Sequence, residues 1–175
     1  MKNPDLTPDE LREIFTYEPD TGKLFWNKCP SWLYETDFAR NRYNTLFAGK
    51  EAGGVKNNGY KNVMINKRKL LSHRVIWAMV NNKWPDFEID HINHNPSDNR
   101  LLNLRMVTRQ ENQKNRSKSK NNISGHTGVY FNQNAKKWEA RVKNKYLGCY
   151  DNLEDAAEAA KLARTEHNFH PNHGE

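Results

Sequence analysis

EIDHINHNPSDNRLLNLRMVTRQENQKN, residues 88–115, is the stretch of sequence that decides the fold. Its first three residues favour a strand, and the Asn, Pro, Ser and Asp residues that follow favour a loop. A second short strand is predicted at residues 104–107. Thr108 followed by Glu111 is the pattern of a capping box, which marks the start of a helix. The stretch therefore predicts the order strand, long loop, strand, helix.

Three polar residues in this stretch could act together. Asp90 and His91 are neighbours, and neighbouring side chains of a regular strand point to opposite faces, so both can serve one site only where the strand ends. Asn112 shares a helix face with Thr108 and could turn its amide oxygen towards Asp90. One carboxylate and one amide oxygen suit Mg²⁺, which keeps several waters and binds substrate phosphate oxygens. His91 could then take a proton from an attacking water, which predicts phosphodiester hydrolysis. An imidazole packed into the interior would argue against this chemistry.

An Asp-His pair alone more often ends an ordinary strand than forms a catalytic site. Over its whole length, however, the stretch resembles the HNH nuclease motif, also called the ββα-metal finger. The matching residues are Asp90-His91, Asn103 within Asn103-Leu104-Arg105, and Asn112. The resemblance implies that Asp90 and Asn112 hold one metal ion, that His91 is the general base, and that Asn103 orients His91. Asn rather than His at the last position favours Mg²⁺ or Mn²⁺ over zinc by ligand hardness.

The composition favours a polyanionic partner, and double-stranded DNA is expected. The 175 residues include 28 Lys and Arg against 21 Asp and Glu, a net charge of +7, with a pI near 9.4. Such a balance indicates nucleic-acid binding, although a basic protein that is merely soluble has the same balance. Cys29 and Cys149 show no pairing pattern and cannot supply the two Cys pairs of a structural zinc site.

The hydropathy pattern predicts no membrane segment. The longest apolar run, residues 75–80, is too short to cross a bilayer, and the first residues do not open a signal peptide. We therefore expect a soluble cytoplasmic protein, in the host cytoplasm if a phage encodes it, and a monomer or a weak dimer.

The part before the finger is predicted to be rich in strands. Capping signals at Thr7 predict a helix at residues 8–16, and a strand is expected from Lys23. Residues 27–49 are aromatic without a clear period; packing in the core is favoured over stacking on bases. Asn58-Gly59 predicts a hairpin turn before strands at residues 60–65 and 70–72.

A helix is predicted to open at His73, with Val75, Ile76, Met79 and Val80 as its apolar stripe. The run His73-Arg74-Val75-Ile76-Trp77 looks like the segment that precedes the finger in phage HNH endonucleases. Arg74 could reach the phosphate backbone. For His73 a structural hydrogen bond is favoured over a phosphate contact.

Residues 113–124 form a basic stretch with almost no apolar side chains. Its cations are Lys114, Arg116, Lys118 and Lys120. Such a segment cannot bury a core, and it is predicted to be a flexible linker. A tether that follows the DNA backbone is favoured over a hinge without function.

The last part of the chain is predicted to be a second domain of three short strands and one helix. The strands are expected at residues 128–132, 137–143 and 145–150, and a helix follows Asn152. One face of such a sheet stays open. Alternation predicts that this face carries Tyr130, Asn132, Arg141, Lys143 and Tyr146. Trp138 is assigned to the core or its rim.

About fifty residues of this part resemble the APETALA-type, or ethylene-response-factor, DNA-binding domain. The resemblance lies in Gly128-Val129-Tyr130, Lys137-Trp138-Glu139-Ala140-Arg141-Val142, Tyr146-Leu147-Gly148-Cys149-Tyr150-Asp151 and residues 155–160. It implies that the open face of the sheet binds DNA, as a small sheet can in the major groove. Tyr130 and Asn132 stand where the plant family usually has arginine, which puts its sequence preference in doubt. The alternative is a module that only stabilises the chain.

The sequence as a whole predicts an α+β protein. We expect a β-rich N-terminal region that leads into a ββα-metal HNH finger (residues 1–112), the basic linker (113–124), and a three-stranded antiparallel sheet packed on one helix (125–175). The predicted function is a DNA endonuclease of the phage HNH class, nicking or homing in type. A catalytically silent DNA-binding regulator and a nuclease for RNA or damaged DNA are the alternatives. The predicted DNA contacts are Arg74, Arg105, Lys114, Arg116, Tyr130, Asn132, Arg141, Lys143 and Tyr146.

Overall fold

A computed structural model describes residues 6–115, 118–119, 121–171 and 173–174. The chain divides into two compact units, Met1–Val107 and Thr108–Glu175. The predicted domain boundaries after residues 112 and 124 stay a prediction.

The first unit is built from small antiparallel sheets and three helices. The helices are α1 (Pro8–Ile14), α2 (Asp37–Leu46) and α3 (Ser72–Asn81). The strands are β1 (Phe15–Glu18), β2 (Lys23–Trp26), β3 (Glu51–Ala52), β4 (Gly54–Val55), β5 (Lys61–Ile65), β6 (Arg68–Leu71), β7 (Glu88–His91) and β8 (Leu104–Val107). They form the sheets β1-β2-β3, β4-β5-β6 and β7-β8. A short 3₁₀ helix, Leu101–Asn103, leads into β8.

The helix α1 begins where its capping signals predict. The Thr7 hydroxyl accepts from the backbone N–H of Glu10, and the Glu10 carboxylate accepts from the N–H of Thr7. The helix ends at Ile14, two residues before the predicted end, because Phe15 enters β1 and pairs with Trp26.

Residues 27–49 contain α2, a helix that the sequence pattern did not reveal. Tyr43 is its one buried residue, and the Trp26 ring packs against Phe15, Tyr43 and Phe47, with centroids 4.6, 5.7 and 5.4 Å away. Phe38, by contrast, is 78% exposed. The expected core packing of this segment is therefore made by some of its aromatic residues only.

The helix α3 packs mainly on α1 and on the strands β5 and β6. Val75 and Ile76 are fully buried, in the same core cluster as Ile89 of β7 and Leu104 of β8. Val80, predicted in the same apolar stripe, is exposed. The expected burial of the back of the finger by this helix stays a prediction.

The second unit contains α4 (Arg109–Gln113), β9 (Val129–Asn132), β10 (Lys137–Val142), β11 (Lys145–Tyr150) and α5 (Leu153–Glu166). The strands form an antiparallel sheet with β10 in the centre. Ala156 and Ala160 of α5 are fully buried against Val129 and Ala140, because small side chains let the helix lie close to the sheet. With five α-helices and small antiparallel sheets among the described residues, the predicted α+β class is confirmed.

Candidate functional site

Asp90 and His91 lie at the end of β7, where the sequence predicts them. In the antiparallel register Asp90 pairs with Arg105 and His91 with Leu104. The chain then leaves the strand through a turn in which His94 has a φ of +61°. Both residues are largely covered, with Asp90 8% and His91 4% exposed.

Asp90 forms an ion pair across the two strands. Nε and Nη2 of Arg105 donate to Oδ2 of Asp90 at 3.0 and 2.8 Å. Arg105 is one of the predicted DNA contacts, but in the structure its guanidinium is bound to this carboxylate. A fork of two charge-assisted bonds fixes the orientation of the Asp90 side chain.

The His91 ring has a polar partner on the following loop. Its Nε2 lies 3.0 Å from Oδ1 of Asn99, which is 1% exposed. An amide oxygen only accepts hydrogen bonds, so this contact assigns the proton to Nε2 and leaves Nδ1 as the basic nitrogen. Burial lowers the pKa of His91, and the Asn99 bond and the Asp90 charge oppose that shift. The imidazole is therefore held neutral with a defined tautomer.

Asn103 holds the loop that carries Asn99. Its Oδ1 accepts from the N–H of Asn93, and its Nδ2 donates to Oδ1 of Asn93 and to the carbonyl oxygen of Asp98, at 3.0, 2.9 and 2.8 Å. The resemblance implied that Asn103 orients His91. In the structure Asn103 fixes the loop, and Asn99, which the sequence analysis did not single out, bonds to the ring.

Two more rings pack on His91. The His73 ring lies 5.0 Å away, centroid to centroid and edge to face, and the Tyr60 ring lies 5.6 Å away. Tyr60 and His73 also contact each other at 5.4 Å. Burial, with a smaller contribution from the charges of His91 and Arg74, lowers the pKa of His73 to about 3. Tyr60 and His73 therefore belong to the same site as His91.

The structural hydrogen bond favoured for His73 is not formed within the described part of the chain, where its buried Nδ1 has no partner.

Arg74, by contrast, forms hydrogen bonds inside the protein. It is buried, and its guanidinium donates to the carbonyl oxygens of Pro85 and Phe87, each at 2.9 Å. It fixes the segment between α3 and β7, and this placement argues against Arg74 as a phosphate contact.

The two predicted metal ligands lie in different units of the chain, Asp90 in the first and Asn112 on α4 of the second. Their pairing stays a prediction. Among the described residues, no three or more His, Cys, Asp or Glu side chains are grouped so that they could bind a metal. Mg²⁺ needs no such group, because it keeps several waters. The carboxylate of Asp90 fits a hard cation by its chemistry, although Oδ2 is already shared with Arg105.

In the second unit, the open sheet face holds four of the five residues predicted there. Tyr130 pairs with Glu139, and Arg141 pairs with Tyr146 and lies over its ring. Glu139 was not anticipated. Its carboxylate accepts from Asn132 Nδ2 and from Arg141 Nη2, the latter at 2.8 Å. An acid therefore lies in the middle of the proposed DNA-binding face.

Lys143 and Lys114 are predicted DNA contacts of this part of the chain that lie outside the open sheet face. Lys143 lies in the turn after β10 with a φ of +53°, and its Nζ is 5.7 Å from the Phe169 ring centroid. Lys114 caps the end of α4, and its carbonyl oxygen accepts from the N–H of His170. Arg116 lies outside the described residues. Trp138 packs at the rim of the second core, 5.0 Å from the Phe131 ring.

The strands β7 and β8, with Asp90 and His91 at the end of β7, are followed along the chain by the helix α4. Residues 71–114 match a family model described as HNH endonuclease. The match supports an HNH endonuclease domain, and hence a nuclease that acts on nucleic acid, and it spans α3, β7, the loop, β8 and α4. Neither the curated proteins nor the solved structures gave a match. In the described ranges no helix has both the length and the apolar character that crossing a bilayer requires.

Proposed function

We propose that this chain is a DNA endonuclease that hydrolyses phosphodiester bonds with His91 as the general base. One observation carries the proposal: a neutral imidazole, its Nε2 bonded to Asn99 at 3.0 Å, lies next to the paired carboxylate of Asp90 at a strand end. Activating a water needs a base that is held in a fixed orientation. The contact with Asn99 fixes the orientation of the His91 ring.

The residues of the site have separate roles in the proposed hydrolysis. Nδ1 of His91 accepts the proton of the attacking water, and Asn99 holds the ring while the charge forms. Asp90, oriented by Arg105, and the predicted ligand Asn112 would hold one Mg²⁺ or Mn²⁺. When bound, such an ion neutralises charge on the phosphate and on the leaving oxygen.

The burial of His91 restricts what can reach the ring. His91 is 4% exposed, and its ring packs against the rings of His73 and Tyr60. This packing is the condition that argues against hydrolysis, so the loss of cleavage in His91→Ala is the result that the proposal requires.

The sheet of the second unit is proposed to hold the duplex. Tyr130, Asn132, Arg141 and Tyr146 share its open face, and the chain carries a net charge of +7. A second DNA-binding surface raises the local concentration of substrate, so neither unit must bind tightly alone. One site per chain predicts a nick. The resemblance to the HNH family implies 5′-phosphate and 3′-hydroxyl ends and a homing-type phage enzyme.

The test uses supercoiled plasmid with Mg²⁺ at defined salt. The native chain should convert it to open circles, and His91→Ala should abolish the conversion while binding in a gel-shift assay persists. His126→Ala removes an exposed histidine of the second unit and is the matched control. Because His91 is buried, thermal melting of each variant must show that it is folded.

The rival functions give different results. A shift in gel mobility without any cleavage would indicate a DNA-binding regulator. Cleavage of single-stranded RNA or of damaged duplexes, but not of intact DNA, would assign the same residues to another substrate.

A further inference from the structure

The turn that carries Tyr60 is attached to the loop of the candidate site. The Ser97 hydroxyl donates to the carbonyl oxygen of Gly59 at 2.7 Å. Gly59 has a φ of +81°, and a Cβ there would lie 2.6 Å from the Pro96 ring, so only glycine allows this approach. Tyr60 follows directly. Its position is therefore set by the same loop that presents Asn99 to His91.

The Tyr60 ring is packed, but its hydroxyl is not committed. The ring lies against His73 and His91, at 5.4 and 5.6 Å. Within the described residues, the phenol oxygen forms no hydrogen bond, and it is not enclosed among the buried unpartnered atoms. A half-buried phenol with a fixed ring and an accessible oxygen can donate to a ligand that enters the site.

The electrostatic setting keeps this phenol protonated. Burial raises the pKa of Tyr60, and the charges of Asp90 and Glu88 raise it further. A neutral phenol donates a hydrogen bond without adding negative charge.

We propose that Tyr60 is a further catalytic residue of this site, whose hydroxyl donates a hydrogen bond to a non-bridging oxygen of the phosphate being hydrolysed. The bond strengthens as negative charge grows on that oxygen in the transition state. A fixed donor of this kind typically contributes about 10²-fold to the rate. The inference rests on the proposed nuclease function of the same site.

The test compares Tyr60→Phe with the native chain in single-turnover cleavage of plasmid DNA. The substitution keeps the ring on His73 and His91 and removes only an oxygen that forms no hydrogen bond to the described residues, so the fold should persist. We expect the cleavage rate at saturating DNA to fall about 10²- to 10³-fold, the range seen for loss of one transition-state donor. The DNA concentration for half-maximal rate should change less than about twofold, since ground-state binding is unaffected.

Tyr43→Phe is the matched control. Tyr43 is buried in the same unit, its hydroxyl also has no hydrogen-bond partner in the part of the chain described, and it packs against Trp26 and Phe47. Its removal should leave both parameters unchanged. A Tyr60→Phe chain that cleaves at the native rate, or that loses only affinity, would overturn the assignment.

The two proposals can fail separately. If the native chain cuts no nucleic acid, the nuclease function fails. If the native chain cuts and Tyr60→Phe cuts equally well, the nuclease function stands and only the role of Tyr60 is lost.

Discussion

At the residue scale, the pair formed by Asp90 and Arg105 gives Asp90 two tasks. Its carboxylate anchors a guanidinium across β7 and β8, and it is the proposed ligand of a divalent cation. Asp90→Asn should therefore abolish Mg²⁺-dependent cleavage, because an amide is a weaker ligand, while DNA binding is largely kept. Plasmid nicking and gel shifts measured together check this. Normal cleavage would remove Asp90 from the metal site.

The same pair should also be visible in stability. Arg105→Ala leaves the largely buried Asp90 carboxylate without its partner, and we expect a loss of about 1–3 kcal/mol in the free energy of unfolding, discounted for the partial exposure of the arginine. Urea unfolding measures it. The double substitution with Asp90→Asn should recover part of the loss, since no uncompensated charge remains. Additive losses would show that the pair is not coupled.

His73 predicts how stability depends on pH. Its pKa is lowered to about 3 in the folded chain, from 6.5 when unfolded. Below pH 6.5 the unfolded chain therefore binds a proton that the folded chain does not. The contribution of His73 to the free energy of unfolding is fully present above pH 6.5. It is lost as the pH falls, by up to about 1.4 kcal/mol per pH unit. His73→Phe should reduce the slope of unfolding free energy between pH 6.5 and 4; an unchanged slope would contradict the shift.

Some residues of the site were visible in the sequence and others were not. Asp90 and His91 were found because a strand end next to an Asn- and Pro-rich loop is a local signal. Asn99 and Tyr60 were missed because their contacts with His91 depend on how the loop folds back and on which turn meets it. No local pattern encodes either of these contacts.

At the element scale, capping chemistry was the most reliable signal. Thr108 and Glu111 cap α4, and Thr7 and Glu10 cap α1, as predicted. The helix α2 was missed because Tyr43 is its single buried residue, so its sequence has no apolar stripe to detect. A helix that contributes only one side chain to the core shows no repeating apolar pattern in its sequence, so hydrophobic periodicity does not predict it.

Glu139 lies in the middle of the open sheet face of the second unit, and substitutions of Glu139 and of Arg141 should change DNA binding in opposite directions. Arg141→Ala removes a cation from the open face and should weaken DNA binding at low salt and flatten its salt dependence. Glu139→Gln removes the acid that holds Arg141 and Asn132, and should strengthen binding. Gel shifts across a salt series measure both. Equal effects of both substitutions would remove this face from the binding surface.

At the scale of the whole molecule, two separate cores predict two unfolding steps. One core contains Val75 and Ile76, and the other contains Ala140 and Ala160. Ala160→Leu inserts extra volume at a fully buried position and should cost about 1–3 kcal/mol in the second core alone. Val75→Ala should lower only the other midpoint. Urea unfolding followed by tryptophan fluorescence separates the steps, and a single shared transition would contradict the independence of the cores.

The turn between β1 and β2 lies in close contact with the loop of the candidate site. A Cβ on Gly22, whose φ is +69°, would lie 2.4 Å from the backbone nitrogen of Arg100, and the Tyr17 hydroxyl accepts from the N–H of Leu101 at 2.9 Å. The family match begins only at residue 71, yet the peptide beside Asn99 is shaped by residues far upstream. A minimal catalytic module cut at the motif's own borders would therefore keep every signature residue and lose the scaffold that aims the imidazole. Transplanting this activity into another protein would require the N-terminal hairpin as well.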